Sequence, residues 1–205
     1  MPVFRVERNT GYTAVSYTHL NVKLLPGSAK SFFVSQDYFE GIYYTVRFRS
    51  SSVETYETNN SSLAVFEGQV IVFSSFHEFK ISETAIQIFP KKQYSKIKGM
   101  TFNEKVETEN EIFNNMFSVF AQDGHNAFYI LTPKVLEDII EFAKILNNNI
   151  YIVFIDKYMY IGCEQMRNPF NAVVDIPVEE QSKNIVMATD IIQKARDILI
   201  HIENK

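Results

Sequence analysis

Residues 150 to 163 read IYIVFI, then Asp156-Lys157, then YMYIGC. Two apolar runs rich in β-branched and aromatic residues, split by two polar ones, predict a β-hairpin buried on both faces. Asp-Lys is a weaker hairpin turn than Asp-Gly, so the strands rather than the turn carry this reading. The chain has 205 residues, long enough for one sizeable core or for a core with a small appended subdomain. Its 18 phenylalanines and 11 tyrosines favour a sheet-rich body, and its few glycines and prolines argue against a linker-rich chain.

Further strands are expected in IYYTVRFRSSSVETYE (Ile42 to Glu57, as one long bent strand or two) and in LAVFEGQVIVFSSF (Leu63 to Phe76). Gly68 inside the latter suggests a bulge or a close backbone approach. AIQIF (Ala85 to Phe89) is another strand, stopped by Pro90. The N-terminal runs VFRVER, YTAVSY and LNVKLL suggest a small meander closed by Pro26-Gly27.

Two main helices are expected. Thr132 is an N-cap candidate with Pro133 at the first helical position, and Val135, Leu136, Ile139, Ile140, Ala143 and Leu146 recur at helical spacing over 132–147. Ile185, Ala188, Ile192, Ala195, Leu199 and Ile202 mark a second helix over 180–202. A short helix near 109–116 follows from Thr108 and Glu111, spaced as a capping box. The expected fold class is α+β with a mostly antiparallel sheet. Residues 1–27 form a short-strand segment that can pack on the main body, and 28–205 form a single α+β domain.

The formal charge of −4 gives no global attraction to nucleic acid or to an anionic membrane. The single cysteine, Cys163, excludes an intramolecular disulfide and a cysteine-built zinc site, and its apolar run reads as a buried inert thiol. Sequons at Asn59 and Asn60 matter only in a secretory context that nothing else supports. The start MPVFRVERNTGY is no signal peptide, and no run reaches the roughly 18 apolar residues of a membrane span. Glycine-rich phosphate loops, HExxH, GxSxG and ExxH pairs are all missing, and no cofactor is expected.

His19, His77, His125 and His201 are scattered, and none shows the partner that acid–base chemistry needs. Lys91, Lys92, Lys96 and Lys98 surround Tyr94, so they could meet phosphates of nucleic acid or an anionic lipid surface. The plainer reading is a solvated loop offset by the glutamates of NEKVETENE. QDGH, Gln122 to His125, could be a small catalytic loop. It reads better as a corner: Phe117–Ala121 and Asn126–Leu131 as paired strands, with Asp123-Gly124 as the turn and Gly124 left-handed.

FEGQVIVFSSFHEFK, AIQIFPKK, EIFNNMFSVFAQDGHNAFYILTPKVLEDII and IYIVFIDKYMYIGCE occur in an order that resembles an uncharacterised bacterial family, known as domain of unknown function three-one-three-seven. Phe66 and Gly68 match its first element; Phe113, Phe117, Val119, Phe120, Asp123 and Tyr129 to Pro133 match its second. Upstream, QDYFEGIYYTVRF is similar to the family's acidic strand entry, so the resemblance spans residues 31–171. Where the family has a second acid, this chain has Gly124, and where it has a base, Ala127 or Phe128.

The resemblance implies a pair of membrane-spanning helices ahead of the domain in many members. None precedes it here, so a soluble variant, or a lost or replaced N-terminus, is expected. It supplies no catalytic residue. The functional expectation is a noncatalytic binding or scaffold module with a protein partner, cytoplasmic and able to act at the inner face of the bacterial membrane. The alternatives are a hydrolase using dispersed carboxylates or His125, and weak nucleic-acid or anionic-lipid binding through the lysine run.

Overall fold

The computed structural model describes residues 3–6, 24–26, 32–57, 63–74, 85–92, 102, 104–147, 149–164, 166 and 177–203. The second and third N-terminal runs up to Lys23, Gly27, the two sequons, His19, His77, Tyr94, Lys96 and Lys98 lie outside these residues.

The strands are β1 (Val3–Val6), β2 (Phe32–Tyr43), β3 (Val46–Tyr56), β4 (Phe66–Ser74), β5 (Ile86–Pro90), β6 (Glu104–Val106), β7 (Phe117–Ala121), β8 (Ile150–Ile155) and β9 (Tyr158–Glu164). They form one sheet of order β1-β2-β3-β4-β9-β8-β5-β7-β6, with every pairing antiparallel. The helices are α1 (Glu111–Met116), α2 (Gly124–Ile130), α3 (Pro133–Ile145) and α4 (Val178–Glu203). The fold is α+β, as the patterning indicates.

The β8–β9 hairpin turns at Asp156-Lys157, and Asp156 takes the positive φ of 52° that a tight turn requires. It lies at the centre of the sheet because its side chains are apolar on both sides. Ile150, Ile152, Phe154, Met159 and Ile161 join the larger core with the buried residues of α3 and α4. Tyr151, Val153 and Tyr160 point to the second face, where Leu24, Leu25 and Phe102 pack among them. Each fully buried aromatic or branched side chain contributes about 1.5–3 kcal/mol. Gly68 of β4 stands where a Cβ would run into the Cys163 carbonyl of β9, so a close backbone approach is what this glycine permits.

Four local readings change. Asn126–Leu131 is not a strand but α2, and Asp123-Gly124 is its start rather than a hairpin turn. Asp123 is the N-cap, its side chain accepting from Asn126 N–H at 3.0 Å. A returning strand has no place to pair, because β7 already lies between β5 and β6. Gly124 accordingly does not adopt a left-handed φ; its N–H donates to the Glu104 carboxylate at 2.6 Å.

The cap of α1 is Asn110, accepting from Phe113 N–H at 3.0 Å, and not Thr108. Thr108 is held instead by the Asn114 side-chain amide, which bonds both its N–H and its carbonyl. The run from Ile42 to Glu57 contains a hairpin turn at Tyr44-Thr45, with Tyr44 at φ 56°. Part of NEKVETENE forms the edge strand β6, whose one inward side chain is Val106.

Thr132 caps α3, accepting from Val135 N–H at 3.4 Å, with Pro133 following it. α3 and α4 lie against each other and are joined by Lys194–Glu141 (3.0 Å) and by His201–Asp138.

Candidate functional site

Strand alternation sends Arg47, Arg49 and Val53 of β3 to the second face of the sheet, because Val46 and Phe48 face the helices. The antiparallel registers then fix their neighbours. One row across the sheet reads Glu40, Arg49, Val72, Tyr160, Val153. The next reads Ile42, Arg47, Ser74, Tyr158, Ile155. Two arginines on one strand therefore face two tyrosines on another, with Val72 and Ser74 as the floor between them.

A groove of about 530 Å³ lies here, lined among the described residues by both arginines, Glu40, Ile42, Val72, Ser74 and Tyr158. That volume falls in the range of small-molecule sites. Tyr158 packs against Tyr160 with ring centroids 5.9 Å apart, and Lys157 Nζ sits 5.8 Å from the Tyr158 ring centroid. Burial pushes the Tyr160 phenol up to about 12; Tyr158 adds to the shift and the Arg49 charge partly offsets it. Glu40 accepts the Tyr38 hydroxyl at 2.9 Å. Arg49 is half-buried. Neither it nor Arg47 makes a side-chain hydrogen bond or ion pair among the described residues. A half-buried guanidinium normally finds an acceptor, so Arg49 is the least satisfied charge in the groove, with the exposed Arg47 beside it.

The residues singled out from the sequence lie elsewhere. Lys91 and Lys92 are exposed in a short turn after β5, and Lys91 Nζ donates to the Asn114 carbonyl at 3.0 Å. Asp123 and Gly124 open α2, and Thr132 and Pro133 open α3, with the Asp123 and Thr132 side chains spent on capping backbone N–H groups. His125 is exposed, its ring edge-on to Tyr129 at 6.0 Å. Cys163 is buried and its thiol is pushed up to about 12, far from the thiolate that nucleophilic chemistry needs. Among the described residues, no three histidine, cysteine or carboxylate side chains converge to hold a metal ion. The structure thus does not bring these candidates together.

Sequence reasoning missed Arg47, Arg49 and Tyr158. The alternation R-F-R was visible, but its partners are set by pairings between distant strands.

Residues 64–196, well over half the chain, match the family described as protein of unknown function (DUF3137). The chain belongs to this family. No curated protein and no solved structure matches it. The DUF3137 match takes in β4 to β9 and most of α4, so it includes the Val72–Ser74 floor and Tyr158 of the groove. The arginines and Glu40 lie on β2 and β3, before the matched span. Among the described residues of this DUF3137 protein, no helix is long and apolar enough to cross a membrane.

Proposed function

We propose that this DUF3137 domain is a noncatalytic binding module, acting at the inner face of the bacterial membrane, with the groove on the second sheet face as its ligand surface. The observation that supports it is the pair of arginines on a concave sheet surface that have no acceptor among the described residues. Side chains that neutralise each other need no ligand, whereas these two guanidinium groups gain acceptors from one. The hydrolase alternative has less behind it, since His125 contacts a tyrosine ring rather than a carboxylate. The lysine run has less behind it too, because Lys91 is engaged with the α1 backbone.

Fragment binding followed by backbone amide shifts tests this reading. Shifts should cluster on Gly41, Val72, Ser74 and Tyr158, and every bound fragment should be recovered unchanged. Shifts centred on the helices, or conversion of a bound fragment to product, would overturn it. Flotation with vesicles of inner-membrane composition tests the location, and a protein that never floats counts against it.

A further inference from the structure

We infer that the groove binds a singly charged phosphate ester carrying an apolar or aromatic body. This rests on the groove being the working surface. Arg47 and Arg49 are two residues apart on one strand, so their Cα atoms are about 7 Å apart and their side chains leave the same face. One guanidinium fork already satisfies a planar carboxylate. Two forks carried on neighbouring anchors of one strand face suit a group whose oxygens point in several directions, as the tetrahedral phosphate does.

Charge sets the valence. Arg47, Arg49 and Lys157 stand against Glu40 and Asp156 around this part of the sheet. Among the described side chains, which leave out Arg5 across the β1–β2 ladder from Glu40, three cations and two carboxylates leave one net positive charge. Glu40, directly across the β2–β3 ladder from Arg49, repels a second negative charge on the ligand. A diester, with one charge at neutral pH, fits better than a doubly charged monoester.

The rest of the groove supplies the apolar contact. Antiparallel strands lie about 4.8 Å apart, so the tyrosine wall on β9 is about 10 Å from the arginine strand, across Val72. A ligand that places its phosphate on the arginines therefore lays its body over Val72 toward Tyr158, backed by Tyr160. Both a membrane phospholipid headgroup with its first acyl carbons and a soluble aromatic phosphodiester have this chemistry.

Isothermal titration of the full chain with diphenyl phosphate tests the inference. Saturable one-to-one binding is expected, with inorganic phosphate at least about tenfold weaker. Arg47→Gln and Arg49→Gln should each weaken diphenyl phosphate about tenfold or more while leaving the thermal unfolding midpoint in place or higher. Arg49→Lys, which keeps the charge and loses the fork, should also weaken it. Glu40→Gln should improve binding of phenyl phosphate, the doubly charged monoester, more than that of the diester.

Vesicles of phosphatidylglycerol in phosphatidylcholine separate the two sources. Displacement of diphenyl phosphate by them identifies a lipid headgroup, and persistence of its binding in their presence identifies a soluble ester. Equal binding of diphenyl phosphate and inorganic phosphate, or affinity unchanged in both arginine variants, would overturn the inference. If neutral fragments still shift Val72 and Tyr158 in that event, the groove stands as a binding surface and only the phosphate assignment falls.

Discussion

His201 Nδ1 lies 2.5 Å from Asp138 Oδ2, and this contact ties the last turn of α4 to α3. The other Asp138 oxygen accepts Lys134 Nζ at 2.9 Å, so both oxygens of a carboxylate only 8% exposed are engaged. Asp138→Ala should cost about 1–2 kcal/mol in urea denaturation, because it removes two contacts at once while water can serve the exposed lysine and the partly exposed histidine. His201→Ala should cost about 1 kcal/mol, since water can replace a partly exposed imidazole. A double-mutant cycle should return coupling near 1 kcal/mol, and strict additivity would show that the contact does not form in solution.

Two glycines of the central sheet should respond differently to a methyl group. At Gly68 an added Cβ meets the Cys163 backbone, which can move only by parting β4 from β9. At Gly162 it meets the end of the Leu25 side chain at 2.7 Å, which can turn aside. Gly68→Ala should therefore cost about 2–4 kcal/mol and Gly162→Ala about 1 kcal/mol. The reverse order in chemical denaturation would contradict the strand pairing.

At the start of α2, Asp123→Ala should cost about 1 kcal/mol through the lost cap. Gly124→Ala should cost about 1 kcal/mol or less, because the new Cβ meets the end of the Glu104 side chain, which can turn aside by giving up its bond to the Gly124 N–H. His125→Ala should leave the unfolding midpoint nearly unchanged. A large loss at Gly124 with none at Asp123 would favour a hairpin turn over the helix.

Alkaline pH should loosen the fold in a defined window. Burial raises Cys163 from its ordinary 9.0 and Tyr151 from 10.0, with Glu164 adding to the tyrosine shift. Raised native values mean that the neutral forms are stabilised by folding. Their contribution is complete below the pH at which the unfolded chain ionises, and it is lost as pH rises through the native values. Denaturation midpoints followed from about pH 8 to about pH 11 should hold steady to about 9 and then fall. In Cys163→Ala the decline should begin nearer pH 10, and an unchanged onset would remove the thiol from this account.

Arg49→Gln should keep or raise thermal stability, since it removes a half-buried charge that has no acceptor among the described residues. A loss above about 1 kcal/mol would mean that the guanidinium serves the fold.

Local chemistry was legible where one segment decides its own state. Thr132-Pro133 and the apolar stripe after it dictate α3, and the double-sided burial of IYIVFI and YMYIGC dictates the central hairpin. Asp123-Gly124 was ambiguous because aspartate serves hairpin turns and helix N-caps equally well, while Phe128, Tyr129 and Ile130 favour strands by propensity. The decision came from elsewhere: β5 and β6 occupy both edges of β7. The Tyr44-Thr45 turn carries no glycine, asparagine or proline to announce it. The groove depends on registers joining β2 and β3 to β9, a separation over which residue pattern carries no information.

The β4–β9 seam also sets an order for biosynthesis. β2, β3 and β4 each pair with the strand made just before, so this meander can zip up as it leaves the ribosome. β4 then offers an open apolar ladder, Val70 to Phe73, until Tyr158 and its successors have been translated. An edge left waiting is the kind that nascent chains on one polysome use to stick to each other. A translational stall between Ser74 and Tyr158 would lengthen that wait, which ends only once β9 has cleared the ribosome.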